Sequence, residues 1–227
     1  MCFSAEASFV AAAALVPMGG YCLVAAARRR PRFWGFALLP VGFGLQQAAE
    51  GVVWLGLANG WPTATAVAGG VFLFFAVAWW PFWCPVATAV AVRRPGVRRL
   101  LVVWALLATG WFFLAYLPAL ADGAVPEVVH HSIRYPYPDG LLRDATWGWT
   151  VLGLYLLCTA GPLLVAGLVL DEPRHRFLLP AIGYFAVTVL AAVVAAHAYT
   201  SVWCFLAALL SAYCVYYFAT AGSSEPA

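Results

Sequence analysis

Apolar residues fall into seven long runs along this chain, at roughly 5–27, 34–58, 64–92, 100–121, 147–170, 177–198 and 202–219. A helix needs about 20 apolar residues to cross a bilayer, and each run is of that order. Between them stand short polar linkers, RRRPRF, NGWPT, RRPGVRR, DEPRHR and YTS, and one long one, 122–146. The pattern predicts an all-α polytopic bundle of seven transmembrane helices. It forms a single membrane domain over 1–221, and the GSSEPA end, 222–227, is expected to be a disordered tail. The first run is followed by RRRPR rather than a small-residue cleavage site, so it is expected to stay as a span and not to act as a signal peptide.

Prolines interrupt several runs: Pro17, Pro40, Pro81, Pro85 and Pro162. Each removes a backbone hydrogen bond, which membrane helices tolerate where neighbours satisfy the freed carbonyl. The WWPFWCP segment of the third run reads either as a kinked helix packed by aromatics or as a hinge or cavity wall. In the long linker, Pro136 and Pro138 force extended backbone around Tyr135 and Tyr137. That linker is either an ordered flap over the mouth of the bundle or a mobile connector. No inverted repeat is visible, which tells against a standard transporter architecture.

Composition leaves no room for a sizeable soluble domain: 65% of residues are hydrophobic and 9% charged, against about 25% charged in an average soluble domain. All 12 basic side chains are arginine. With the abundance of Ala, Val, Gly and Leu, this points to a GC-rich bacterial genome and hence to the bacterial cytoplasmic (inner) membrane. Arg28, Arg29, Arg30, Arg32, Arg93, Arg94, Arg98, Arg99, Arg174 and Arg176 fall in linkers on one side, and only Arg134 and Arg143 on the other. By the positive-inside rule the N-terminus is outside and the C-terminus cytoplasmic. The net charge of +3 therefore reports topology. The partner it implies is the lipid bilayer, with no nucleic acid. Oligomeric state is left open.

The costliest polar residue is Glu50, in LQQAAEGVVW of the second run. A carboxyl in hydrocarbon costs roughly 2.5–3.5 kcal/mol on insertion scales. Gln46, Gln47 and Trp54 lie one helical turn from it and share its stripe. By helical rise Glu50 stands about 12 Å below the outer end of its helix. His197 and Ser201 lie at the outer ends of the last two runs, with Trp203 and Cys204 just inside. His130 and His131 stand in the outer loop. The chemically able side chains thus gather in the outer half, while the inner half offers arginines, His175 and little else.

Each has a bland alternative. A protonated Glu50 could be interhelical glue, Gln46 and Gln47 could bond neighbouring helices, and His197 could be an interfacial cap. Adjacent histidines in extended chain point opposite ways, so at most one of the pair would face a site. Arg134 and Arg143 read most simply as solvated loop charges, and Trp54, Trp61, Trp111, Trp147 and Trp149 as an interfacial belt. The six cysteines lack metal-type spacing. Cys2 reads as an inert interfacial thiol, as a disulfide or metal partner of Cys204, or as a nucleophile using its own amine as base. No HExxH or helical HxxxH occurs, which tells against a standard zinc hydrolase. The absence of lysine excludes a retinal Schiff base.

MCFSAEASF, QQAAEG, HHSIRY and HAYTSVWCFLAALLS, in this order, resemble an uncharacterised family of bacterial integral membrane proteins known as a domain of unknown function. The resemblance implies no activity, cofactor or catalytic residue. It directs attention to Cys2, Ser4, Gln46, Gln47, Glu50, His131, Tyr135, His197, Trp203 and Cys204. Three functions follow as expectations. The first is an outward-opening pocket for a small ligand or metal ion, floored by Glu50 and lined by Gln46, Gln47, Trp54, His197, Tyr135 and Trp203. A metal there would draw on Glu50, His197, His131, Cys2 and Cys204, a set suited to zinc or copper. The second is a membrane-embedded enzyme acting on a lipid or lipid-linked substrate. The third is a proton- or ion-coupled transporter titrating Glu50.

Overall fold

The computed structural model describes residues 4–121, 125–135, 147–194 and 198–220. Seven helices are long and apolar enough to cross a membrane: α1 (Ala5–Arg29), α2 (Pro31–Asn59), α3 (Pro62–Ala91), α4 (Pro95–Ala121), α5 (Gly148–Val169), α6 (His175–Val194) and α7 (Tyr199–Thr220). The protein is an integral, multi-pass membrane protein with an all-α seven-helix fold. Each of these helices lies over one of the seven apolar runs.

Helices α2 and α3 form the centre. In α2, 61% of the spanning window is buried, against 22% in α4, which lies at the periphery on α3. Around the centre, α2 packs on α1, α3 and α7, and α3 packs on α4 and α5. The α1–α2 hairpin is the tightest pairing. A Cβ on Gly19 would sit 2.7 Å from the Val41 backbone nitrogen, and one on Gly44 would sit 2.8 Å from Val16 Cγ2. Small residues let the two backbones approach, the usual basis of helix association in lipid. Ser4 caps α1, its hydroxyl accepting from the Ala7 N–H at 3.2 Å. Gly60, at φ +66°, closes α2 in a left-handed conformation. Leu106, Leu107, Val193 and similar residues face outward, as a lipid-facing surface requires.

The prolines act through the carbonyls they free. Pro81 and Pro118 cannot donate to the residue four before them, and ahead of each the helix widens to a π-helical turn, at Phe74–Trp79 and Phe112–Tyr116. In the first, the Trp80 N–H bonds Phe75 O rather than Ala76 O. Ala76 O is instead taken by the Tyr155 hydroxyl of α5, at 2.5 Å. Pro40 likewise frees Phe36 O, which accepts from Cys214 Sγ at 3.6 Å. WWPFWCP thus follows a widened turn and is packed by aromatics, with Trp79 stacked on Trp83 at 4.8 Å, while Trp80 and Cys84 of the same segment wall a cavity.

Within the long linker, β1 (Glu127–Val129) pairs antiparallel with β2 (Ser132–Arg134). His130 and His131 form the two-residue turn, at φ +47° and +59°. A two-residue hairpin demands positive φ at its turn positions. The histidines are therefore not in extended chain as the sequence suggested, and both are exposed. Ile133 and Tyr135 are fully buried, and Tyr135 stacks on Phe72 of α3 at 4.7 Å. Arg134 is not a lone solvated charge: its Nε donates to Glu127 across the hairpin at 2.6 Å. The described part of the linker is an ordered element docked on α3 and α7. Pro136, Tyr137, Pro138 and Arg143 lie outside the described residues, as does the 222–227 tail.

Candidate functional site

Helix α2 presents Gln46, Gln47 and Glu50 to the interior, and all three are fully buried. Gln46 is held on both sides. Trp80 Nε1 of α3 donates to its Oε1 at 2.8 Å, and its Nε2 donates to Cys204 Sγ of α7 at 2.9 Å. One amide thereby ties three helices together. Phe43, one turn away, stacks on Trp80 at 4.0 Å and fixes the indole for that bond. Gln46 is a structural bridge, the bland reading its position allowed.

One turn toward the hairpin end the arrangement changes. Ser201 of α7 donates to Glu50 Oε1 at 2.5 Å, and Glu50 Oε2 is buried without a partner. Gln47 packs against the same carboxyl as a loose hydrogen-bond neighbour, without a bond of full geometry at either amide atom. Trp54 Nε1 and Ser8 Oγ of α1 are also buried and unpartnered. Ser8 precedes Phe9, the ring that meets Gly51 of α2, which puts it at the depth of Glu50. Gln47, Glu50 and Trp54 of α2 and Ser8 of α1 thus have buried polar atoms without a hydrogen bond of full geometry, spread over about 10 Å of α2. Each such atom costs about 1–3 kcal/mol if left dry.

The remaining expected residues divide. Trp203 is buried, its Nε1 donating to Thr188 of α6 at 3.0 Å and its ring set edge-on to Tyr155 and Tyr184. It also lines a small cavity of about 40 Å³ together with Tyr155, Tyr199 and Thr200. Tyr135 locks the hairpin to α3. His131 is exposed at the hairpin tip and joins no cluster. Among the described residues no group of three or more His, Cys, Asp or Glu could hold a metal ion. Cys2 and His197, two members of the expected metal set, lie outside the described residues. The pairing of Cys2 with Cys204 lies there too, and Cys204 itself accepts from Gln46.

Ser201 and Ser8 were not expected in the site. The signal for Ser201 was its place at the start of the last span, at a depth that can face Glu50. Ser8 gave none, since a small hydroxyl in a run of alanines looks like packing.

A cavity of about 90 Å³ lies in the other half of the bundle, toward the arginine-rich end. Phe43 and Trp80 close its inner end, and Arg176, Tyr213 and Tyr217 stand at its other end. Glu50 does not line it. At the rim, Glu172 pairs with both Arg30 and Arg176, the latter at 3.2 Å, and the Arg176 guanidinium lies 5.9 Å from the Tyr217 ring. The half that the sequence left nearly featureless therefore contains a partly open, apolar pocket.

No curated protein and no solved structure matches the chain. A family model does, over residues 1–227. The match covers the whole chain, so the protein belongs to a family of unknown function, DUF6629.

Proposed function

We propose that this membrane protein binds a small polar ligand in the half of the bundle beneath the hairpin, with Glu50 and Gln47 as its principal contacts. The observation that carries this reading is the set of buried polar atoms without a hydrogen bond of full geometry: Glu50 Oε2 and both amide atoms of Gln47, which are only loosely paired with one another, together with Trp54 Nε1 and Ser8 Oγ. Gln46, the immediate neighbour of Gln47, is fully bonded. Packing therefore satisfies an amide here when nothing else is to occupy its place. The set offers an acceptor at Glu50, a donor and an acceptor at Gln47, and a donor at Trp54. That suits a compact ligand with both donor and acceptor groups, such as a small amide, alcohol or ammonium compound. The described donors favour an organic ligand over zinc or copper.

In this reading the hairpin end faces outside and the arginine end the cytoplasm, because ten of the 12 arginines lie at the latter. The ligand then enters from the outer side, beside the docked hairpin. Native mass spectrometry of protein extracted in mild detergent tests the proposal. Wild type is expected to carry a bound small-molecule mass that Glu50→Gln and Gln47→Leu lack, with all three proteins eluting as the same folded species. Protein without any adduct, or an adduct kept by both variants, would count against it.

A further inference from the structure

Three linkers meet at the arginine end. Pro95 disfavours helical backbone at the residue before it, so Arg94 is extended, at φ −70° and ψ 115°, and α3 passes to α4 through an exposed Arg93–Arg94 link. Leu170 ends α5 in extended backbone too, at φ −79° and ψ 146°. Beneath the linkers, Ala89, Val92 and Leu101 form a small buried cluster with Val165 and Val169 of α5 packed against it. The arginines of the link therefore stand on a packed floor.

A pocket of about 40 Å³ lies between these linkers, and five of the eight residues lining it are charged. Its charges do not balance. Glu172 is already paired with Arg30 and Arg176. Arg32 Nη1 donates to the Ala91 carbonyl at 3.3 Å, which ties it to the end of α3. Among the described residues, Arg32, Arg93 and Arg94 take part in no ion pair. Asp171, which is exposed, is the one other carboxylate on the wall. Three arginines against one aspartate repel a cation and attract an anion.

Size limits what enters. A water-sized group needs about 10–15 Å³ of such space, so this pocket takes roughly three oxygens. That suits the free oxygens of one phosphate group and excludes a whole head group. The surroundings suit a lipid. Phe33, Val169 and Leu170 complete the wall, and Leu100 of α4 and Leu168 of α5 are 59% and 63% exposed. Acyl chains can lie along such a surface, which a free phosphate ion does not use.

We propose that this pocket binds the phosphate of an anionic phospholipid in the leaflet at the arginine end. Arg93 and Arg94 donate charge-assisted hydrogen bonds to the free oxygens, and Arg32 adds its charge from the first linker. The rest of the lipid stays outside, its chains along Leu100 and Leu168. Basic pockets between helices at this face of a membrane hold lipid phosphates in this way.

The test is native mass spectrometry of the full chain in mild detergent, titrated with phosphatidylglycerol or phosphatidylcholine of equal acyl length. Wild type is expected to retain phosphatidylglycerol at least about tenfold more tightly. The double variant Arg93→Gln/Arg94→Gln should lose about tenfold in that affinity, and each single variant several-fold. Arg98→Gln/Arg99→Gln removes the same charge from exposed residues of the same stretch that do not line the pocket, and should bind as wild type does. Glu50→Gln should also bind normally, which keeps this outcome independent of the hairpin-side ligand. Millimolar inorganic phosphate at matched ionic strength should leave the lipid bound. The proposal is overturned if the two lipids are retained equally, if both double variants lose affinity alike, or if inorganic phosphate displaces the lipid.

Discussion

Around Glu50, α1 and α2 bring polar atoms into the interior and leave several unbonded. Around Arg176, the walls are apolar, and the polarity is confined to an ion-paired rim and a few tyrosine hydroxyls. The first region has partners missing and little described space, and the second has space with few polar atoms facing it. Between them Gln46 and Trp80 bond one another and seal the middle of the bundle. The comparison teaches that buried polarity and enclosed volume are separate signals in a membrane bundle. Only the first leaves a trace in the sequence.

The largest stability effect expected from breaking this arrangement is at the rim. Glu172→Ala leaves two mostly buried arginines without their shared carboxylate, and should cost about 3 kcal/mol or more in thermal unfolding within nanodiscs. Gln46→Leu removes two buried bonds and strands the Trp80 N–H, and should cost about 2–3 kcal/mol by the same measurement. Tyr155→Phe uncovers the Ala76 carbonyl in the π-turn and should cost about 1–2 kcal/mol. If Tyr155→Phe unfolds as wild type does, the widened turn does not depend on its hydroxyl. Gln47→Leu is the smallest and the most informative. Its amide has only a loose contact with Glu50 to lose, so stability should hold or rise slightly, while the co-purifying ligand disappears. A destabilised Gln47→Leu would show that the amide is already satisfied, and the contrast with Gln46 would fail.

The two glutamines show how far the site could be read from the chain. Helical spacing placed Gln46, Gln47, Glu50 and Trp54 on one stripe, and the cost of a carboxyl in lipid marked Glu50. Nothing in that stripe distinguishes Gln46, which proves structural, from Gln47, which stays open. The difference is made by Trp80 and Cys204, 34 and 158 residues away. The adjacent histidines failed for a different reason. Their backbone is set by a two-residue turn, which a linker rich in prolines and tyrosines did not announce.

Sequence alone determined the seven spans, the membrane class and the family, because apolar length and charge asymmetry are properties of consecutive residues. It also marked Glu50, since a carboxyl is costly in hydrocarbon wherever its helix packs. Tertiary structure decided which polar atoms are satisfied, how the Ala76 and Phe36 carbonyls are used, and that a cavity lies near the arginines. Those outcomes depend on which helices meet and at what depth. Such contacts join residues far apart in the chain, and apolar walls look alike whether they enclose space or fill it.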